Sequence, residues 1–282
     1  MPGTLFVVAT PIGNLEDITA RALRVLRQAA LIAAEDTRRT AHLLARYAIT
    51  TPTTSLHEHN EASKTAALVR RLERGESIAL VSDAGTPTVS DPGTRLIRAA
   101  IEAGLRVEPI PGPSAALAAL AASGFPSDTF LFLGFPPTRS KDRIKWFNDL
   151  INAGRTVVFF EAPHRLRVTM EELQAVVGDC QIVLGRELTK IHEELVRGHV
   201  STVLSMLKEP VGEFTVVMNI GHSIEPIDAR PPDDGSLALE LGELTETGHL
   251  SRSQAVIDLA KKHGLARNAV YSAIERAKKS GV

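Results

Sequence analysis

The side chains best placed for chemistry stand where short apolar runs end. Three such runs, residues 5–9, 77–81 and 106–110, lead into loops of small and turn-forming residues. These loops are Thr10-Pro11-Ile12-Gly13-Asn14-Leu15, Ser82-Asp83-Ala84-Gly85-Thr86-Pro87 and Pro111-Gly112-Pro113-Ser114-Ala115. Small residues let backbone amides and carbonyls come close to a bound molecule, and Asp83 adds an acceptor at the rim. Alone, each loop reads first as a tight turn into a helix. Three along one edge read as a ligand edge, because open α/β sheets bind at the carboxyl ends of their strands. A fourth run, residues 30–34, ends at the acidic pair Glu35-Asp36, with Arg38 and Arg39 just beyond. No G-x-G-x-x-G, G-x-x-x-x-G-K-[ST] or G-x-S-x-G is present. The usual dinucleotide cradle, P-loop and hydrolase nucleophile elbow therefore have no candidate.

These loops must be positioned by alternating strands and helices. Strands are predicted at 5–9, 30–34, 77–81 and 106–110. Helices are predicted at 18–29, 40–47, 62–72 and 91–103, the last ending at Gly104, a residue suited to a left-handed cap. The alternation implies an α/β domain, residues 1–112, with a largely parallel sheet. The pattern restarts in residues 113–222, a second α/β domain of similar size. Its predicted strands are 130–133, 156–160, 181–184 and 214–220, and its predicted helices 141–152, 164–177 and 200–207. Residues 223–235 hold Pro226, Pro231, Pro232 and Asp233-Asp234 without hydrophobic period, and read as a linker. Residues 236–282 read as a basic helix-turn-helix-like domain, with amphipathic stretches at 251–262 and 267–279 around a turn at His263-Gly264-Leu265. From Ser251 onward it has seven basic residues, Arg252, Lys261, Lys262, Arg267, Arg276, Lys278 and Lys279, against Asp258 and Glu275. The whole chain carries −1, so this asymmetry points the C-terminal end towards nucleic acid.

Composition narrows the function classes. The 282 residues, 44% hydrophobic and 23% charged, suit a globular protein with room for more than one core. Aromatics make up only 4%, too few for an extended base-stacking platform. The single Cys180 excludes an internal disulfide and any cysteine-rich metal cluster. His57 and His59, in the run His57-Glu58-His59-Asn60, lack a third fixed ligand, so a polar substrate-facing loop is the better reading. The N-terminus has no basic start, and no apolar stretch approaches the roughly 18 residues of a membrane span. A cytoplasmic location is expected.

The loop sequences resemble one family. The motifs are Val8-Ala9-Thr10-Pro11-Ile12-Gly13-Asn14-Leu15-Glu16-Asp17-Ile18, Ala34-Glu35-Asp36-Thr37-Arg38, Ser55-Leu56-His57-Glu58-His59-Asn60, the Asp83 and Ser114 loops, Phe159-Phe160-Glu161-Ala162-Pro163-His164-Arg165 and Gly185-Arg186-Glu187-Leu188-Thr189-Lys190. Over residues 4–222 they resemble the bacterial ribosomal RNA small subunit methyltransferase I family, a branch of the tetrapyrrole methylases. The basic tail is similar to that family's C-terminal helix-turn-helix. The resemblance implies a two-domain tetrapyrrole-methylase-like fold with S-adenosylmethionine in the cleft between the domains, and a homodimer. It implies 2′-O-methylation of a cytidine in small-subunit ribosomal RNA, expected in the assembled subunit. By motif, cofactor contacts fall on Pro11, on Asp83, Ala84, Gly85 and Thr86, on Ser114 and Ala115, on Phe160 and Glu161, and on Val217.

Ribose methylation needs a group to receive a proton from a hydroxyl that barely ionises at neutral pH. Glu35, Asp36 and Lys190 are the catalytic candidates, each also readable as an ordinary helix-start or surface residue. Arg38, Arg39, His57, His59 and the basic segment with Arg139, Lys141 and Arg143 are the candidate substrate contacts, the segment read as a mobile loop. A tetrapyrrole (precorrin-type) methyltransferase on the same fold is the nearest alternative, and the basic tail and residues 34–38 disfavour it. A DNA-binding regulator using the tail is a second alternative, but it leaves the large α/β part without a role. Since no metal-ligand set is evident, methyl transfer is expected to survive exhaustive chelation. Loss of activity with EDTA and its return with a divalent ion, on a substrate left intact by the chelator, would contradict this.

Overall fold

Continuous apolar strands flanked by amphipathic helices dictate a sheet covered on both faces, and the first half of the chain builds one. The computed structural model describes residues 1–151, 154–207, 210–220, 234–246, 251–262 and 267–280. They fall into two units that divide after residue 222. Residues 223–233 of the expected linker and the turn at His263-Gly264-Leu265 lie outside the described residues, and the linker's last two residues, Asp234 and Gly235, begin a helix instead.

The first unit opens with β1 (Thr4–Val8), α1 (Ala20–Gln28), β2 (Leu31–Ala34), α2 (Thr37–Arg46), β3 (Thr53–Ser55), α3 (Glu61–Glu73), β4 (Ile78–Val81), α4 (Thr94–Glu102) and β5 (Arg106–Ile110). The five strands form one parallel sheet in the order β3-β2-β4-β1-β5. Alternate residues of β2 and β4 point to opposite faces. Ile32, Ala34, Ala79 and Val81 pack with Val25, Leu26, Leu43 and Leu44 of α1 and α2. Leu31, Ala33, Ile78 and Leu80 pack with Leu68, Leu72, Leu96 and Ala100 of α3 and α4. Because every strand runs the same way, all the loops after β1, β2, β4 and β5 emerge at one edge.

The chain continues with α5 (Ala115–Ser123), β6 (Phe130–Phe132), α6 (Ser140–Leu150), β7 (Thr156–Glu161), α7 (Pro163–Val177), β8 (Gln181–Arg186), β9 (Glu194–His199), α8 (Val200–Met206) and β10 (Phe214–Asn219). This second sheet has the order β6-β7-β10-β8-β9 and is mostly antiparallel, only β6 and β7 running together. Its strands present Val158, Val183 and Val217 to Ala116, Ala119 and Leu120 of α5. On the other face Val157, Phe159, Ile182 and Leu184 meet Phe147, Leu166, Met170 and Val203. The antiparallel pairing sets the end of β7 beside the start of β10, with Phe160 opposite Thr215 and Glu161 opposite Phe214.

Three elements escape the periodicity argument. β3 and β9 are edge strands, the first only three residues long and the second broken by Gly198 and two charged residues. α5 reads Ala-Ala-Leu-Ala-Ala-Leu-Ala-Ala-Ser, apolar all round, so no face stands out. Its ends are nonetheless marked, by Ser114 capping the Leu117 amide and by Gly124 in the left-handed region. α4 starts three residues later than expected. Ser90 at φ +69° and Gly93 at φ +121° keep Asp91–Gly93 out of the helix, and that turns Asp91 towards the strand-end loops.

The second unit consists of α9 (Asp234–Glu246), α10 (Arg252–Lys262) and α11 (Arg267–Ser280). Leu237, Leu241, Ala255, Leu259, Val270 and Ile274 form its core. α9 is an acidic helix additional to the two expected ones, so the unit as a whole is less basic than its last thirty residues. Arg276 pairs with Asp234 of α9 and Arg252 pairs with Glu275. Among the described residues, no helix is long and apolar enough to cross a membrane.

Candidate active site

The strand-end loops are tied to one another through backbone and carboxylate bonds. Thr10 and Gly85 exchange two backbone bonds, of 2.8 and 3.0 Å, bridging the loops after β1 and β4. The Thr86 hydroxyl donates to the Pro113 carbonyl at 3.2 Å, adding the loop after β5. The Asp83 amide donates to Glu35 Oε2 at 3.3 Å, and the Asp36 amide donates to Asp83 Oδ1 at 2.9 Å. These last two bonds cross between the ends of the neighbouring strands β2 and β4. Gly85 has φ +76°, and a Cβ there would meet Ile12 Cγ2 at 3.4 Å. Gly13 is required for another reason: a Cβ would lie 2.5 Å from Lys190 Cγ and 2.8 Å from Thr189 Oγ1. The β1 loop thus seats directly on the loop after β8, where Thr189 Oγ1 also accepts the Asn14 amide at 3.0 Å.

Together these loops and the second sheet enclose a cavity of about 430 Å³, within the usual range of small-molecule sites. Of the residues singled out from the sequence, Glu35, Arg39, Asp83, Ala84, Gly85, Thr86, Ser114, Ala115, Phe160 and Glu161 line it. Phe135, Asp91, Gly212, Glu213, Phe214 and Thr215 also line it and were not expected. Phe135 is 53% exposed, yet its ring centroid lies 5.5 Å from that of Phe160. Asp91 sits in the run Ser90-Asp91-Pro92-Gly93, and an acid between turn residues soon after a ligand-edge loop was the available signal.

Burial divides the acids here into two kinds. Desolvation, then the Glu35 and Asp83 charges, pushes the Asp91 carboxyl up to about 6. Burial raises Glu35 as well, against the Asp83 amide bond and Arg39. Asp36, by contrast, is held at about 2 by bonds from the Arg38 side chain and backbone, and it caps α2.

Several expected roles change with the geometry. Asp36 is a helix cap paired to Arg38 at 2.8 Å, too weak a base at that acidity to gather a proton near neutrality. Lys190 does not line the cavity. Its Nζ bonds Glu187 at 2.9 Å and Glu213 at 3.1 Å, and these outweigh burial to raise its pKa. Glu161 is nearly fully buried, and its carboxylate serves the start of α7. It accepts from the Ala162 amide (2.7 Å), Arg165 Nη2 (2.5 Å) and the Thr169 hydroxyl (2.6 Å).

Val217 is 0% exposed beneath α5, and β10 reaches the cavity at Phe214 and Thr215 instead. Pro11 is buried beside Ile12, the residue of that loop that faces the cavity. Arg38, Arg139 and Lys141 are exposed. His57 and His59 pack edge to face at 6.0 Å, with Asn60 Nδ2 2.9 Å from His57 Nε2, and neither lines the cavity.

Arg143 is the clearest correction. It is 3% exposed, bonds Glu172 at 2.6 Å, and donates to the carbonyls of Pro137 (3.1 Å) and Thr138 (3.2 Å). It therefore clamps the 136–139 segment from inside, where a mobile loop was expected, and cannot face a substrate.

The comparisons with known proteins agree with this architecture. Residues 4–204 match the family described as Tetrapyrrole (Corrin/Porphyrin) Methylases. Among solved structures, diphthine synthase aligns with TM-score 0.60 at 16% identity, covering 77% of this chain and 90% of its own. A uroporphyrin-III C-methyltransferase from Thermus thermophilus, complexed with S-adenosylhomocysteine, aligns with TM-score 0.55 at 17% identity, covering 76% and 97%. The two-sheet unit is thus that of a methylase.

Two relatives called ribosomal RNA small subunit methyltransferase I are closer in sequence. That of Synechocystis is 44% identical over 95% of this chain and 96% of its own, and that of Escherichia coli O157:H7 is 43% identical over 95% and 93%. The chain belongs to the ribosomal RNA small subunit methyltransferase I family of the tetrapyrrole methylases.

Truncating the buried Arg143 to methionine leaves the half-buried Glu172 without its cation and the Pro137 and Thr138 carbonyls without their donor. We expect Arg143→Met to lower stability by about 3 kcal/mol, read as the shift in the urea unfolding transition. A loss under about 0.5 kcal/mol, the size of an ordinary surface change, would contradict the buried clamp.

Proposed function

We propose that this chain transfers a methyl group from S-adenosylmethionine to the ribose 2′-hydroxyl of a cytidine in small-subunit ribosomal RNA. The substrate is the assembled subunit, and the enzyme works as a cytoplasmic homodimer. The observation that carries the reading is the 44% identity to a ribosomal RNA small subunit methyltransferase I over 95% of this chain; the cavity supports it independently.

The cavity's chemistry suits the donor. When bound, S-adenosylmethionine supplies a methyl group on a positively charged sulfur. Among the described residues, Glu35, Asp83, Asp91 and Glu213 face the cavity against one cation, Arg39, a field that favours a cationic ligand and opposes a polyphosphate. Phe135, Phe160 and Ile12 form an apolar wall for a flat base. The N-termini of α5 and α7, at Ser114-Ala115 and Ala162-Pro163, open onto the same space. The positive dipole end of α5 suits a carboxylate, whereas at α7 the Ala162 amide is already taken by Glu161 and Pro163 has none. Asp83, fixed by the Asp36 amide, offers acceptors for ligand hydroxyl or ammonium groups. Phe160 stays where it is because Glu161, next in line, is anchored to Arg165 and Thr169.

For the RNA, the exposed cations Arg38, Arg39, Arg139 and Lys141 are the proposed phosphate contacts. His57 and His59 are polar substrate contacts in this reading. The C-terminal helical unit adds RNA affinity and is not part of the cofactor site. One relative, from Thermotoga maritima, aligns over 98% of its own length with only 77% of this chain, 219 residues. That is close to the size of the first unit.

The test uses small subunits from a strain lacking this enzyme, incubated with the full-length protein and labelled S-adenosylmethionine. Mass mapping should find one added methyl on one cytidine, with the bond after it resistant to alkali as a 2′-O-methyl requires. Methyl on a base, or transfer to a porphyrinoid and none to RNA, would overturn the proposal.

A further inference from the structure

Among the described residues, Asp91 is the acid in the cavity that neither a cation nor a backbone amide engages. The Glu35 carboxylate accepts the Asp83 amide. The Asp83 carboxylate accepts the Asp36 amide and faces Arg39 Nη1 at 3.5 Å. Glu161 is fully engaged by Ala162, Arg165 and Thr169, and Glu213 pairs with Lys190. Among the described residues, Asp91 meets no cation, and the Ser82 hydroxyl is its hydrogen-bonding neighbour.

The backbone works to put it there. Thr88 at φ +72° and Ser90 at φ +69° are non-glycine residues in the left-handed region, both within three residues of Asp91. Left-handed backbone is unfavourable for side chains with a Cβ and persists where the surroundings enforce it, often at functional sites. The enforcement is visible. Gly93, at φ +121°, lies so close to Leu80 that a Cβ would sit 2.7 Å from its Cδ2, and Ser90 Oγ packs against Gly134. The segment is thereby fixed between the two sheets with its carboxylate in the cavity.

We propose that Asp91 is the catalytic residue that receives the ribose proton. This rests on the ribose-methylation reading above. The 2′-oxygen bonds to the methyl carbon as the carbon–sulfur bond breaks, its electron pair leaving on a neutral thioether sulfur. The hydroxyl proton passes to an Asp91 carboxylate oxygen, and water then removes it. The charged and titratable groups around Asp91 are Glu35 from the end of β2, Asp83 from the β4 loop and Arg39 from α2. Glu213 stands before β10, and Glu61 of α3 caps α4 through the Arg95 and Leu96 amides. Glu35 and Asp83, both anionic, raise its proton affinity and so make it a stronger base.

The experiment is single-turnover methyl transfer from excess full-length enzyme to unmodified small subunits between pH 5 and 8.5, with S-adenosylhomocysteine affinity measured on each variant. The wild-type rate is expected to rise with unit slope below about pH 6 and level off above it. Asp91→Asn should slow the step by about a hundredfold or more at pH 7.5, abolish that inflection, and change S-adenosylhomocysteine affinity by less than about threefold. Asp91→Glu should restore a measurable part of the rate. Glu35→Gln, which removes one neighbouring charge, should move the inflection to lower pH.

A rate in Asp91→Asn within tenfold of wild type overturns the assignment. So does a rate loss matched by an equal loss of S-adenosylhomocysteine affinity. If Asp91→Asn does not fold, the wild-type profile decides, and a rate flat through pH 6 overturns it. Wild-type enzyme that methylates no ribose oxygen fails the underlying reading instead, and the assignment with it.

Discussion

The site depends on two hydrogen bonds that cross between neighbouring strand ends. The Asp83 amide holds Glu35, and the Asp36 amide holds Asp83. Asp83 is both a backbone donor and a side-chain acceptor, so the loops after β2 and β4 fix each other through it. The same span carries the Thr10–Gly85 bridge and the Thr86–Pro113 bond. Four loops of one parallel sheet therefore move as a unit, and the cavity is shaped before anything binds. Preorganisation of this kind spares a ligand the cost of ordering its own site.

That arrangement gathers negative charge in a partly dry space. Two unit charges 4 Å apart interact by about 4 kcal/mol at an effective dielectric of 20, so several carboxylates around one cavity repel appreciably. The chain relieves this in two ways. Arg39 faces Asp83, and Lys190 pairs with Glu213 at the rim. Glu35 and Asp91 keep their repulsion, and both have raised proton affinity. A cationic ligand relieves what remains, which is why the same acids that strain the free site suit a sulfonium donor. The antiparallel second sheet contributes little charge at this point. It supplies Phe160, Phe214, Thr215 and the start of α7, an apolar wall opposite an acidic floor.

Much of this was legible in the sequence because it is local. The continuous apolar strands 31–34 and 78–81, their turn-rich ends and the motif at Asp83 announce a parallel sheet with a ligand edge. What was not legible depends on register and on long-range partners. Val217 and Thr215 are two residues apart on one strand, and only the pairing with β7 decides that Thr215 faces the cavity. Arg143 sits in a basic, proline-containing segment that reads as a surface loop, and its burial follows from Glu172, 29 residues away. Asp91 looked like the first acid of a helix, a common place for one, until positive φ angles at Ser90 and Gly93 took it out of α4. α5 lacked any apolar stripe because both its faces are small and apolar.

The central claim is that the strand-end cavity of the first unit holds S-adenosylmethionine. Calorimetric titration of the full-length protein with S-adenosylhomocysteine tests it most directly, comparing wild type with Gly85→Val. At φ +76°, with Ile12 against it, a branched side chain at residue 85 distorts the cavity floor. One molecule should bind per chain, and the folded variant should bind more than about tenfold more weakly, a difference of roughly 1.4 kcal/mol. Unchanged affinity in a folded Gly85→Val protein would contradict the account.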